Sequence, residues 1–315
     1  MRYAHIIRYI NSTPFALTDE KVEEIKSLLS QRLNGIRATP EELVAFAGPP
    51  SPAQSQRGAV AVLSLRGVIA HRAGALDDSS GGVSTEAFAR LYRQVMQDAS
   101  IASVVIDCDS PGGAVAGVHE LAQEMLALRG TKKVIAVANS LMASAALWLM
   151  AAAADEIVAI QSAMIGSIGV ASIYIDDSKQ READGITVEV FTSAENKLDS
   201  LGLGPLSEDA KARRKARVME AGSWFRSDVA RGRGVSVADV RSKFGEGAVF
   251  SAKEALAVGL IDRIGSLDET IGRLAGRKAG PNGLRAELDG DELAADAVTD
   301  KLLAASDRAR RRRLL

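Results

Sequence analysis

The chain is poor in the residues that most often betray a site. It has a single cysteine, Cys108, among 315 residues, so no internal disulfide can form, and a lone thiol in an apolar, strand-like run fits a reducing compartment. Histidine is almost as scarce, with His5, His71 and His119 only. His5 falls in a terminal appendage, His71 in a polar loop, and His119 early in a helix where a solvated or capping role is expected. None lies C-terminal to the serine singled out below, so a Ser-His-Asp triad finds little support. Neither sign of charge dominates, with 39 basic and 40 acidic residues, which excludes bulk attraction to nucleic acid or to an anionic membrane. A clean secretory signal is also missing: the short apolar patch of the first ten residues is broken by His5 and Arg8.

What the chain does have is one long apolar run, Val134–Ala154, with only Asn139, Ser140 and Ser144 polar within it. About 20 apolar residues match a membrane span in length. Sparse leucine, abundant alanine and the Asn-Ser interruption favour another parse: a buried strand over roughly 133–138, a tight turn, and a buried helix from about Ala143. Ser144 then sits at a helix N-terminus, where free N–H groups and the helix dipole favour developing negative charge. Two readings stay open at this point, a small residue packed in a crowded helix or a nucleophile.

The remainder reads as an α/β chain. Residues 1–56 form an N-terminal helical appendage and linker. Its helix carries Val22, Ile25, Leu28, Leu29 and Leu33 on one face, Thr39-Pro40-Glu41-Glu42 reads as a capped start, and 48–58 as linker. Residues 57–276 form the core. Strands are expected over 59–69, 101–107, 156–160, 164–176 and near 187–191, and helices over 85–97, 118–128, 207–230, 235–245 and within 247–276. Alternating strands and helices indicate right-handed βαβ units with active groups on loops at strand ends. Residues 277–315 form a charged, flexible tail ending in an arginine run, either solvated or docked on an acidic surface. No internal repeat is visible.

Two glycine turns stand out. Ser110-Pro111-Gly112-Gly113 follows a strand and opens a helix, so that backbone N–H groups can face a ligand without side chains in the way. Gly166-Ser167-Ile168-Gly169 is a weaker case. If Ser144 is a nucleophile it needs a base, and with histidine disfavoured lysine is the other option. Lys197 lies in a loop beside Leu198, Leu201 and Leu203, which are able to dry it. A lysine base must be neutral at working pH, against an ordinary value of about 10.4. A plain surface lysine is the competing reading.

Taken in order, DSPGG (109–113), MASAALW (142–148), GSIGV (166–170), Lys197 and VFSAKEALAVGLIDRIGSLDE (249–269) resemble the signal peptide peptidase A-like serine peptidases of the ClpP/crotonase superfamily, over roughly residues 58–275. The resemblance implies a fold of repeated ββα units, Ser144 as nucleophile and Lys197 as general base. Gly113, with Gly112, is implied as the oxyanion turn and the Ala145 N–H as a second donor. The family often has Ser-Gly-Gly where this chain has Ser144-Ala145-Ala146. The start, YINSTPFALTDE, is most similar to the phage head maturation proteases. That likeness implies protein substrates (scaffold, coat, and the chain itself), a homo-oligomer in which serine and lysine can meet across subunits, and a place in the host cytoplasm within a procapsid. It implies no cofactor, no metal, no nucleic acid and no stable membrane insertion. The alternatives are a host-type peptidase that degrades signal-peptide remnants and a non-catalytic crotonase-like or scaffold protein.

Overall fold

The computed structural model describes Asn11, residues 13–21, Glu23, residues 54–72 and residues 82–275. The helical stripe from Val22 to Leu33, the capped start at 39–42 and the tail beyond 276 lie outside these residues. The first strands, in chain order, are β1 (Phe15–Leu17), β2 (Gln54–Arg57), β3 (Val60–Arg66), β4 (Ile69–Ala70) and β5 (Val83–Ser84), followed by α1 (Thr85–Gln97). Next come β6 (Ser103–Ser110), β7 (Gly112–Ala114), α2 (Val118–Ala127), β8 (Lys133–Ala143), α3 (Ala145–Ala153), β9 (Glu156–Ala159) and β10 (Met164–Gly166). The last part holds α4 (Ser178–Ala183), α5 (Glu208–Arg233), α6 (Val237–Lys243), β11 (Val249–Ser251), α7 (Ala252–Ala257), β12 (Arg263–Ile264) and α8 (Leu267–Leu274).

The main sheet runs β11-β10-β8-β6-β3-β2, with β9 alongside the first half of β8 and β12 outside β9. β3, β6, β8, β9, β10 and β12 are parallel, and the antiparallel β2 and β11 close the two ends of the six-strand path. Strands of a parallel sheet are covered on both faces, which explains their unbroken apolar runs: Val104, Val105 and Ile106 on β6 and Ala136, Val137 and Ala138 on β8 are all fully buried. β3 and β6 then each turn out into a second, smaller sheet of order β1-β7-β4-β5.

The expected α/β class with parallel strands is therefore present, and three local expectations are corrected. The stretch 48–58 was expected to be linker, yet it pairs with β3 from Gln54 onward. Its QSQR sequence suits an edge strand, which needs no apolar face. β8 does not turn at Asn139-Ser140 but continues to Ala143, because its second half takes a new neighbour, β10. Residues 187–191 form no strand. They are exposed, with Phe191 90% accessible.

Helix α3 is apolar on every side, and all nine of its residues are buried. Such a helix belongs in a core or a membrane. At about 1.5 Å per residue, nine residues reach only ~13 Å, and among the described residues no helix is long and apolar enough to cross a membrane. Helix α5 covers it. Trp148 stacks flat on Phe225 at 4.5 Å. A Cβ on Gly232 would lie 1.9 Å from the Ala151 carbonyl oxygen, so only glycine allows this close crossing. α5 itself is well delimited: the Ser207 side chain accepts from the Ala210 N–H, Glu208 and Asp209 occupy the first turn, and Gly234 ends it in the left-handed region.

Candidate active site

Ser144 is the single residue between β8 and α3. Its backbone has φ 54° and ψ −120°, a conformation that costs a non-glycine residue about 1–3 kcal/mol. The surroundings over-determine it. Its N–H donates to the Gly166 carbonyl at 2.8 Å, and its carbonyl accepts the first helical bond, from the Trp148 N–H at 2.9 Å. A sharp strand-to-helix elbow of this kind presents a side chain at the top of a sheet. The residue is fully buried, and its Oγ makes no hydrogen bond among the described residues. Leaving a buried hydroxyl unpaired costs about 1–3 kcal/mol, so backbone strain and side-chain desolvation coincide on one residue.

The glycine turn meets it. A Cβ placed on Gly112, which has φ 97°, would lie 2.9 Å from both Ser144 Cβ and the Ala145 nitrogen, and 2.1 Å from the Ala16 carbonyl oxygen. Only glycine lets this backbone close on the serine. The two expected oxyanion donors on the turn differ. The Gly112 N–H donates to Ser110 Oγ at 3.2 Å, and Ser110 Oγ in turn donates to the Gly67 carbonyl at 2.6 Å. Gly112 is thus spent on shaping the turn, and Gly113 is the residue on β7 whose N–H faces β1. The Ala145 nitrogen sits in the first turn of α3, where helical N–H groups lack intrahelical partners.

Lys197 is not brought to Ser144 within the chain. Its side chain is exposed and makes no hydrogen bond or ion pair among the described residues, while its backbone N–H closes a turn on Ala194. Arg213 holds this loop on α5 through Asn196 Oδ1 at 2.6 Å and Asp199 Oδ2 at 2.8 Å. Leu198, Leu201 and Leu203, expected to dry the amine, are half-buried themselves. Ahead of the loop, Ile186, Val188, Val190 and Phe191 project into solvent.

His119 was expected to be solvated or capping. Instead its Nδ1 lies 2.8 Å from Asp228 Oδ2, and its ring stacks on Trp224 at 5.1 Å. Asp228, 1% exposed, also accepts from Trp148 Nε1 at 2.7 Å and Gln123 Nε2 at 2.5 Å. This buried carboxylate ties α2, α3 and α5 together one turn below Ser144. It is a His-Asp pair without the serine, and no local pattern announces it, because its partners stand about a hundred residues apart. The thiol of Cys108 is fully buried, and desolvation, reinforced by Asp107 and Asp109, pushes its pKa well up, so it stays protonated and inert.

A serine on a strained elbow at a helix N-terminus, backed by a glycine turn, is an arrangement chemically suited to nucleophilic attack. The comparisons narrow the class. Residues 127–279 match the model of peptidase family S49, a stretch that includes Ser144 and Lys197 and leaves out Gly112 and Gly113. The chain is 29% identical over 241 residues to the head-tail preconnector protein GP5 of Enterobacteria phage P21, covering 76% of this chain and 48% of the relative. It is 30% identical over 212 residues to capsid assembly protease C of Escherichia phage lambda (67% and 48%), and 25% identical over 214 residues to Protease 4 of Haemophilus influenzae (68% and 34%). The chain thus spans about half or less of the length of these curated relatives. The resemblance to signal peptide peptidase A-like and phage head peptidases, expected from the motifs, is borne out.

Proposed function

We propose that the chain is a serine endopeptidase that works with a Ser144–Lys197 dyad and cleaves scaffold and coat proteins during phage capsid maturation. The observation that carries the reading is the strained, buried and unpaired Ser144 hydroxyl at the N-terminus of α3, facing the Gly112-Gly113 turn. Neutral Lys197 takes the Oγ proton as Ser144 attacks the substrate carbonyl. The Gly113 and Ala145 N–H groups receive the oxyanion, where one such donor is worth about 3–4 kcal/mol. The protonated lysine passes its proton to the departing amine, and then activates the water that hydrolyses the acyl-enzyme.

Because Lys197 is exposed at the end of a segment that presents four apolar side chains, we place its partner serine on a neighbouring copy within a homo-oligomer. The core is taken as 57–276 in a ClpP/crotonase-like arrangement, with β1 added from the segment ahead of it. The site of action follows from the phage relatives: the host cytoplasm, inside a procapsid. The test is processing of a coat or scaffold protein by wild type and by Ser144→Ala and Lys197→Ala variants. Activity retained by either variant removes the dyad.

A further inference from the structure

The glycine strand that adjoins Ser144 is already paired with the chain's own β1. This short strand is paired on both edges. On one side it runs antiparallel to β7, with Phe15 opposite Ala114, Ala16 opposite Gly113 and Leu17 opposite Gly112. On the other, Phe15 and Ala171 exchange two backbone bonds, each 2.8 Å. Asn11 prolongs the second seam with its side-chain amide, donating to the Ile175 carbonyl at 3.1 Å and accepting from the Ile175 N–H at 2.8 Å. The Arg214 guanidinium fastens it, donating to the Asn11 carbonyl, to Ser172 Oγ at 2.6 Å and to the Ile173 carbonyl at 3.2 Å.

The register decides what this strand means. Bonded and non-bonded pairs alternate along an antiparallel ladder. The Val115 N–H donates to the Pro14 carbonyl and the Thr18 N–H to the Pro111 carbonyl, so the pair between them, Ala16 and Gly113, is a bonded one. That directs the Ala16 carbonyl at the Gly113 N–H, and this oxygen, Ser144 Cβ and the Ala145 nitrogen all crowd the one position that a Cβ on Gly112 would take, at 2.1, 2.9 and 2.9 Å. The Ala16 carbonyl thus meets the N–H that the proposed mechanism assigns to the oxyanion, on the strand whose Gly112 adjoins Ser144. Ala16 is fully buried, and Phe15 packs with Leu17, Ile173 and Ile175.

We propose that residues 14–18 are a built-in occupant of the substrate cleft, an autoinhibitory strand held in a substrate's register that must leave before another polypeptide can add to β7. This rests on the reading of Ser144 as nucleophile. Strand addition supplies the affinity through main-chain bonds, and tethering gives the occupant a high effective concentration that free substrate has to overcome.

The test uses the full-length chain with Phe15→Cys and Ala114→Cys, residues directly opposite at a non-hydrogen-bonded position where side chains approach closely. Oxidation should lower hydrolysis of a fluorogenic peptide at least tenfold and reductant should restore it; equal, measurable rates in the two states overturn the proposal. Conversely, Phe15→Asp should raise kcat/KM about fivefold or more, through KM, and an unchanged KM overturns it. A readout independent of turnover is binding of labelled Thr-Pro-Phe-Ala-Leu-Thr, in a Ser144→Ala background, by fluorescence anisotropy. The peptide should bind the Phe15→Asp chain and not the oxidised cross-linked chain. Equal binding to both overturns the occupancy and leaves the proteolytic reading intact. The expected binding with no hydrolysis by any variant that keeps Ser144 supports the occupancy and overturns the proteolytic reading.

Discussion

The two halves of the proposed dyad are built in opposite ways. Ser144 is surrounded: a helix whose nine residues are all buried, a glycine turn within van der Waals reach, and a backbone bond to Gly166 hold a strained conformation in place. Lys197 sits on an exposed loop that one arginine fastens to α5, behind a run of solvent-facing apolar side chains. The contrast teaches that packing within the folded chain fixes Ser144 and the glycine turn but does not fix the Lys197 side chain, so the proposed dyad leaves the placing of its base to assembly. Strain and desolvation are stored where the chain can sustain them.

The comparison can be broken by substitution. Ser144→Ala should abolish peptide hydrolysis by at least about a thousandfold with no loss of stability. Ser144→Gly should go further and raise stability by about 1–2 kcal/mol in urea unfolding, since it removes both an unpaired buried hydroxyl and a positive-φ side chain. A destabilised Ser144→Gly chain would mean that the hydroxyl is structural. Lys197→Ala should cost about 10²–10⁴-fold in kcat and leave the melting temperature unchanged, because an exposed side chain without bonds carries no folding energy.

Asp228→Ala should leave Trp148, His119 and Gln123 without their shared acceptor and destabilise the protein by about 3 kcal/mol. Activity should fall only in proportion to unfolded chain, a measurement that separates support of α3 from chemistry. The smallest effect is expected at Asp262. Burial raises its pKa, but the paired bonds from Arg233 and the Ile157 N–H outweigh this and hold it below the ordinary carboxylate value of 3.8. A depressed folded pKa adds stability above about pH 4 that is lost as pH falls through the folded value. Asp262→Asn should therefore cost at most about 1 kcal/mol at pH 7, since solvent screens a partly exposed pair, and progressively less as the pH falls below about 4, as followed by denaturant midpoints.

Much of this was legible from the residues. The parallel strands announce themselves as unbroken apolar runs, α1 as a 3.6-residue stripe, and α3 as an apolar stretch too short and alanine-rich for a membrane. The glycine turn and the serine stood out because each breaks an otherwise regular pattern. What stayed hidden depends on partners far along the chain. The Asp228 hub joins residues from three helices. β1 is three residues behind a proline, too short for any period, and it becomes a strand only because Gly113 and Ala171 flank it. The polar β2 gave no apolar signal, while Ile186, Val188 and Val190 alternated like a strand yet pair with no strand among the described residues.

The most direct measurement of the central claim is complementation between two dead chains. Ser144→Ala and Lys197→Ala proteins, each inactive alone, are mixed, dissociated and reassembled, and peptide hydrolysis is followed. Sites that draw serine from one copy and lysine from the next should recover a substantial fraction of wild-type rate, because some interfaces then join an intact Ser144 to an intact Lys197. A reassembled mixture as inactive as its components, under conditions where wild type regains full rate, would contradict the account.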